Sequence, residues 1–180
     1  MFRWIAGALV ASLSLAPAAD AQERKRLGFG LLISNDFVDD GKDRWRTGGL
    51  QSSRIWGPAW DGTAPAGFGQ LLELRLGAEI ITPENLRVPS VSDRHYAGAL
   101  SVGLHTHFQR GAAEFAAGGD LVFVGPQTGL DGFQDALHDL FSFPRPSDAV
   151  REAQIDDALN PTAVVEIGQS FALSDTATLR

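Results

Sequence analysis

The sequence predicts an all-β protein, specifically an antiparallel β-barrel of the outer-membrane type. Three observations lead to this class. Polar and apolar residues alternate with period two over long stretches, these stretches have about ten residues or more in most cases, and an export signal precedes them. Strands of globular proteins most often have about 5–6 residues, whereas strands that span a membrane need about 9–11.

The alternation is clearest in residues 70–81. Leu72, Leu74 and Leu76 fall on one parity, while Glu73 and Arg75 fall on the other. Because successive side chains of a strand point to opposite faces, one face is apolar and the other is charged. A lipid-facing wall around a polar lumen would explain this pattern. A soluble sandwich or lipocalin-like barrel, with the apolar face as its core, is the alternative. The six predicted strands are residues 27–34, 47–56, 70–81, 95–108, 110–124 and 162–173.

Composition excludes several other classes. The 180 residues contain 15 basic and 22 acidic side chains, a net charge of −7, and no cysteine. A disulfide scaffold, a thiolate metal site and a cysteine nucleophile are therefore excluded. The acidic balance argues against non-specific nucleic-acid binding, which needs Lys and Arg to neutralise phosphates. No run after the first twenty residues is apolar enough for a membrane-spanning helix.

Residues 1–21 are predicted to be a secretory signal peptide. Arg3 supplies a positive charge, an apolar run extends from Trp4 to Leu15, and Ala19 and Ala21 fit a small-x-small cleavage site. We therefore expect Sec-type export to the bacterial outer membrane. Residues 22–180 would then form the N-terminal part of the barrel.

The connections between predicted strands set the expected topology. If the N-terminus lies in the periplasm, residues 35–46, 83–94 and 125–161 are outer loops, and residues 57–69 and 109–111 are inner turns. Longer outer loops and shorter inner turns are typical of such barrels, although the inner connection at residues 57–69 is longer than usual.

The longest outer loop contains a predicted helix at residues 131–141. Leu130, Phe133, Leu137 and Leu140 recur there at helical spacing, and Pro144 and Pro146 would end the helix.

Several polar residues converge on the outer rim of this topology. Each has an ordinary interpretation as a turn dipeptide, a surface ion pair or a solvated pair. Gln134 and His138 are four residues apart and therefore share one face of the predicted helix. The rim candidates are Asn35, Asp36, Thr47, Arg94, Gln134 and His138.

These residues lie in sequence blocks that follow one another in a defined order between Gly30 and Asn160. The blocks are NDF (35–37), DRWRTGGL (43–50), ITPEN (81–85), DRHYAG (93–98), GPQTG (125–129) and QDALH (134–138). In order and approximate spacing they resemble the blocks of the lipid A 3'-O-deacylase family. The sequence departs from that pattern at Arg46 and His95, where the family has Tyr and Pro.

The resemblance implies a twelve-stranded outer-membrane barrel, of which about six strands are present here. It also implies calcium-dependent hydrolysis of the ester that holds the 3'-acyloxyacyl chain of lipid A. The partners would be lipopolysaccharide of the outer leaflet and the membrane itself. By position, the general base would be His138, the other catalytic residues Asn35, Asp36, Thr47 and Gln134, the substrate-binding residue Arg94, and the calcium ligands Asp36 and Asn35.

The chemistry of the residues agrees with those roles. A histidine titrates near neutrality and can deprotonate water, while Gln134 or Asp139 could orient its ring. Ca²⁺ takes oxygen ligands of the kind that Asn and Asp supply. No G-x-S-x-G motif signals a serine esterase. The alternatives are a non-enzymatic pore or structural barrel, an inactive truncated homologue, a homologue with another acylated substrate, and a soluble periplasmic β-protein.

Six strands are fewer than the eight that a closed membrane barrel requires. We therefore expect the 180 residues to be part of a longer barrel or a truncated product. Expressed alone, they are not expected to form a stable monomeric barrel, because an open sheet edge cannot be satisfied in lipid.

Overall fold

A computed structural model describes residues 24–34, 45–141, 145–174 and 176–179. Six strands form one antiparallel sheet in sequence order, so that each strand pairs with the next along the chain. They are β1 (Lys25–Ser34), β2 (Trp45–Gly57), β3 (Leu71–Thr82), β4 (Ala97–Arg110), β5 (Ala113–Val124) and β6 (Ala158–Gln169). The predicted signal peptide lies outside the described residues. Within them, β1 and β6 are the edge strands of an open sheet.

The remaining elements are short. After β5 come a 3-10 turn (Pro126–Thr128) and two helices, α1 (Leu130–Phe141) and α2 (Asp148–Glu152). After β6, the strands β7 (Phe171–Ser174) and β8 (Ala177–Leu179) form a separate hairpin. No helix in the described parts of the chain is long and apolar enough to cross a membrane.

The sheet has two chemically different faces, as the alternation predicts. The face that we call the outer face carries Leu76, Val102 and Leu121, which lie side by side on β3, β4 and β5. Its side chains remain exposed rather than packed in a core; Leu104 is 56% exposed and Val165 76%. The alternative of a soluble sandwich or lipocalin-like barrel would bury this face in a core, whereas an outer-membrane barrel turns it toward lipid.

The opposite face, the inner face, is polar and concave. Glu73 lies there within 2.9 Å of Arg75 Nη2 and 2.8 Å of His107 Nε2, and His105 Nε2 lies 3.1 Å from Asp120 Oδ1. A cavity of about 730 Å³ opens on this face and is lined by residues of all six strands, so the sheet curves around it. One lining residue from each strand is Gly28, Ile55, Glu73, His107, Ala116 and Glu166, in the order β1 to β6.

The connections divide between two ends of the sheet. At the end that we call the turn end, β4 and β5 are joined by Gly111 and Ala112, where Gly111 has a φ of 60° and Arg110 pairs with Ala113. The connection is a tight turn as predicted, but it lies at residues 111–112 rather than 109–111, because Gln109 and Arg110 still pair within the sheet. The other end, the loop end, carries the β1–β2, β3–β4 and β5–β6 connections. Of the first, residues 35–44 lie outside the described residues.

The sixth strand differs from its prediction at both ends. It runs over Ala158–Gln169 rather than residues 162–173. Its start includes Pro161, which pairs with Leu121 of β5. It ends early because Phe171–Ser174 pairs with Ala177–Leu179 in the separate hairpin.

The predicted loop helix is confirmed as α1, which begins one residue earlier than predicted and ends at Phe141 as expected. The sequence did not predict α2. Its N-cap is Ser147, whose Oγ accepts a hydrogen bond of 3.2 Å from the backbone N–H of Val150.

A candidate active site on the outer face

The site is built where α1 meets the outer face of β4 at the loop end. Gly98 lies on that face, on the same parity as Val102. A Cβ on Gly98 would lie 2.6 Å from Thr128 Oγ1 and 3.0 Å from Leu130 Cβ. The absence of a side chain therefore lets the 3-10 turn and the start of α1 approach the strand closely. The backbone N–H of Gly125 also donates to the carbonyl of Gly98, at 3.0 Å.

A small apolar cluster fixes this arrangement. Ile80, Tyr96 and Val150 are buried together, and Leu130 packs against them. The carbonyl of Tyr96 accepts a hydrogen bond of 3.0 Å from the backbone N–H of Ile155. The cluster thus connects β3, α1 and α2 with Tyr96, which directly precedes β4. It fixes the position of α1 on the sheet.

A chain of polar side chains runs from this cluster to the predicted general base. The hydroxyl of Tyr96 donates to Gln134 Oε1 at 2.8 Å, and Gln134 Nε2 lies 3.4 Å from His138 Nε2. Gln134 and His138 are only 3% and 7% exposed. The prediction that they share one helical face is confirmed by this contact. Because the amide oxygen accepts from Tyr96, the amide NH₂ is the group that faces the imidazole.

The geometry distinguishes between Gln134 and Asp139, the two residues predicted to orient the imidazole of His138. Asp139 is exposed and forms an ion pair with Arg145, so it is held on another face of α1. Asp135, also off the site, forms an ion pair with Arg151. Gln134, rather than Asp139, is the neighbour that contacts His138.

The DRHYAG block has a structural role in the loop before β4. The carboxylate of Asp93 accepts backbone hydrogen bonds from Glu84 at 2.7 Å and from Arg94 at 2.8 Å. These bonds stabilise the ionised form and hold the pKa of Asp93 below its usual value. His95 Nδ1 lies 2.6 Å from the carbonyl of Ala153, which ties the same loop to the segment after α2.

A second contact ties the β3–β4 loop to α2. The backbone N–H of Ser147 donates to the carbonyl of Leu86, and its Oγ donates to the carbonyl of Arg87, both at 2.8 Å. Since Ser147 also caps α2, one residue fixes the helix start and its position beside the loop.

Of the other predicted site residues, two lie within the described parts of the chain and two lie outside them. Arg94 is exposed, two residues before Tyr96. Thr47 falls at a register shift of β2 against β3, where it is the extra residue between Arg46 and Gly48. Such bulges commonly redirect a side chain near a functional site. Asn35 and Asp36 lie outside the described residues.

Sequence reasoning did not assign a role to Tyr96. It belongs to the DRHYAG block, but only its contact with Gln134, 38 residues away, shows what it does. Among the described residues, no group of three or more His, Asp or Glu side chains could hold a metal ion.

The arrangement can support proton transfer. The buried His138 has a hydrogen-bonding neighbour, Gln134, that orients it. It lies on the side of the sheet that carries the exposed apolar side chains. A positioned imidazole is the most common general base in enzymes.

Comparisons with known proteins agree with this fold. The family model described as outer membrane protein LpxR matches residues 5–148. The solved structure of LpxR from Salmonella typhimurium is similar, with a TM-score of 0.66 and 17% identity over 82% of this chain. This chain spans 53% of that protein, about half of its length. A search of curated protein sequences found no match. The resemblance of the sequence blocks is thereby confirmed, and the chain belongs to the LpxR family of outer membrane proteins.

Proposed function

We propose that this chain forms part of an outer-membrane hydrolase that removes an ester-linked 3'-acyloxyacyl chain from lipid A. Membership of the LpxR family supports a lipid A deacylase-like function. The observation that carries the proposal is the position of the buried His138 on α1, whose neighbour Gln134 contacts Tyr96 and whose first turn packs against the outer face of β4. A lipid in the membrane would reach that side of the wall directly.

His138 acts in this proposal as the general base. Its Nε2, whose lone pair faces the Gln134 NH₂ at 3.4 Å, takes a proton from a water that displaces this contact, and the resulting hydroxide attacks the ester carbonyl carbon. When the ester C–O bond breaks, the imidazolium returns the proton to the sugar oxygen, and the acyl chain leaves as a carboxylic acid. Gln134 orients the ring, and Tyr96 holds Gln134. Such acid–base catalysis contributes typically about 10²–10⁴-fold.

Calcium remains a prediction from the resemblance. The described site residues supply an imidazole and an amide, and the amide oxygen already accepts from Tyr96. Ca²⁺ takes about 6–8 oxygen ligands, so these side chains do not form a calcium site by themselves. We propose that Asn35 and Asp36, together with loop carbonyls, supply the missing oxygens. Bound there, calcium would polarise the ester carbonyl.

Two further residues receive proposed roles. Arg94 is exposed on the β3–β4 loop, where its guanidinium could pair with an anionic group of the substrate. Thr47 is proposed to belong to the catalytic cluster through the bulge of β2, whose register places it beside Ile80 and Ile81.

Mass spectrometry of lipid A tests the proposal. Cells that produce the full-length protein should lose the 3'-acyloxyacyl chain, and His138→Ala should restore it. The matched control is His107→Gln, which removes a histidine that lies 2.8 Å from Glu73 on the inner face. That variant should deacylate lipid A as the wild type does. Unchanged lipid A in cells with the folded wild-type protein would overturn the proposed function.

Chelation tests the calcium ligands separately. EGTA should abolish deacylation and added calcium should restore it, whereas Asp36→Asn should raise the calcium concentration required. Full activity in EGTA would contradict the predicted cofactor while leaving the role of His138 open to its own test.

A further inference from the structure

Helix α1 presents three chemically different faces. Successive residues of a helix are about 100° apart, so Gln134 and His138 share the face that lies against the sheet. A second face carries Asp135 and Asp139, which form ion pairs with Arg151 and Arg145. The third face carries Phe133, Ala136 and Leu140, all of them apolar and exposed.

The third face points away from the sheet. At about 100° per residue, its three side chains lie roughly 100–160° around the helix from Gln134 and His138. Phe133 is 57% exposed and Leu140 73% exposed, so neither is packed in a core. In water alone, a large exposed apolar patch on a helix is unfavourable and marks a contact surface.

The position of α1 on the sheet indicates which environment this apolar face contacts. The helix starts against Gly98, on the outer face of β4. Further along the same face of β4 lie Val102 and Leu104, which are exposed. At about 3.3 Å per residue, Val102 is roughly 13 Å from Gly98 along the strand. The exposed apolar face of α1 and the exposed apolar side chains of β4 therefore lie on the same side of the sheet.

We propose that the Phe133–Ala136–Leu140 face of α1 is a membrane-contacting surface that inserts among the acyl chains of the outer leaflet. The acidic face of α1, with its arginine partners, then lies toward the headgroups and water. This is the arrangement of an interfacial amphipathic helix, with its apolar side buried about 5–10 Å into the boundary of headgroups and acyl chains. It places His138, on the sheet-facing side of the helix, at the depth where acyl chains are attached to their headgroups.

Site-directed spin labelling can test this contact. The 180 residues contain no cysteine, so Phe133→Cys and Leu140→Cys each create a single labelling position within them. The matched control is Asp148→Cys on α2, because the side chain of Asp148 is 86% exposed and belongs to the charged side of the loop end. The full-length labelled protein is reconstituted in vesicles of phosphatidylethanolamine and phosphatidylglycerol.

The measurement compares collisions with oxygen, which concentrates among acyl chains, and with a water-soluble nickel chelate. Labels at positions 133 and 140 should collide more with oxygen, and the label at 148 more with nickel. Positions 133 and 140 behaving like 148 would overturn the proposal. Protection from both reagents would also overturn it, because a further protein segment would then cover the face. The experiment can be repeated in the His138→Ala background, so its outcome does not depend on catalysis.

Discussion

The hydroxyl of Tyr96 donates a hydrogen bond of 2.8 Å to Gln134 Oε1 and so joins the start of β4 to α1. Both side chains are buried. With its oxygen occupied, the Gln134 amide has only its NH₂ group to offer His138. Tyr96 therefore acts on the imidazole through Gln134, as a positioning residue rather than a catalytic one.

Replacing Tyr96 by Phe removes this hydrogen bond and keeps the aromatic ring in the apolar cluster. A buried hydrogen bond is worth about 1 kcal/mol, which corresponds to roughly a fivefold loss of kcat if it acts only on the transition state. We expect kcat for lipid A deacylation to fall while KM stays unchanged, because Tyr96 is only 1% exposed and offers almost no surface to a substrate. Initial rates with purified lipid A in detergent micelles would measure both.

The control for that variant is Thr63→Ala. It removes a hydroxyl that donates to Asp61 at 3.0 Å in the β2–β3 connection, at the turn end of the sheet. Its kinetics should match the wild type. A rise in KM with unchanged kcat in Tyr96→Phe would contradict the positioning role.

The pH dependence of the deacylation rate in the Gln134→Glu variant tests the contact between residue 134 and His138. A carboxylate beside His138 would stabilise the protonated imidazole, and the general base must be unprotonated. The acidic limb of the rate profile should therefore move to higher pH, by roughly one unit or more. Asp135→Asn, which changes a charge on another face of α1, should leave that limb in place. An unmoved limb in Gln134→Glu would mean that residue 134 does not face the imidazole during turnover.

Gly98→Ala tests the close packing of α1 against the outer face of β4. The new Cβ would meet Thr128 Oγ1 at 2.6 Å and Leu130 Cβ at 3.0 Å, so the 3-10 turn and helix must move outward. Overpacking of this kind costs about 1–3 kcal/mol of the free energy of unfolding. We expect a lower urea midpoint and a strong loss of deacylation, since His138 moves with the helix.

Gly28→Ala is the matched control, because a Cβ there has no neighbour within 4 Å. It should keep both the urea midpoint and the activity. Equal effects of the two substitutions would show that the loss comes from glycine removal in a strand and not from displacement of α1.

The sequence predicts well those features that are determined by residues close together along the chain. The parity of Leu72, Leu74 and Leu76 against Glu73 and Arg75 suffices to assign faces to β3, because side-chain direction alternates locally. The helix α1 is predicted for the same reason, since its apolar residues recur at helical spacing.

The features that the sequence does not predict depend on distant contacts. Nothing near Tyr96 indicates a partner 38 residues later. The sequence suggests that Pro161 ends a loop, whereas in the structure it lies within β6 and pairs with Leu121, a partner 40 residues away. The five residues of α2 are too few to show a helical period.

Asp93 provides a final prediction about the loop before β4. Its carboxylate accepts the backbone N–H groups of Glu84 and Arg94, which lower the pKa of Asp93 from its usual value of 3.8. A group with a lowered folded pKa contributes fully above the unfolded value and loses its contribution as pH falls through the folded value. The wild-type loop should thus stay closed throughout the neutral range, whereas Asp93→Ala should open it at pH 7. Hydrogen exchange of the Glu84 and Arg94 amides should be faster in that variant. Asp61→Ala, which removes a similar bond to the backbone of Thr63 at the turn end, should leave those two amides unchanged; unchanged exchange in Asp93→Ala itself would show that the loop is held by other contacts.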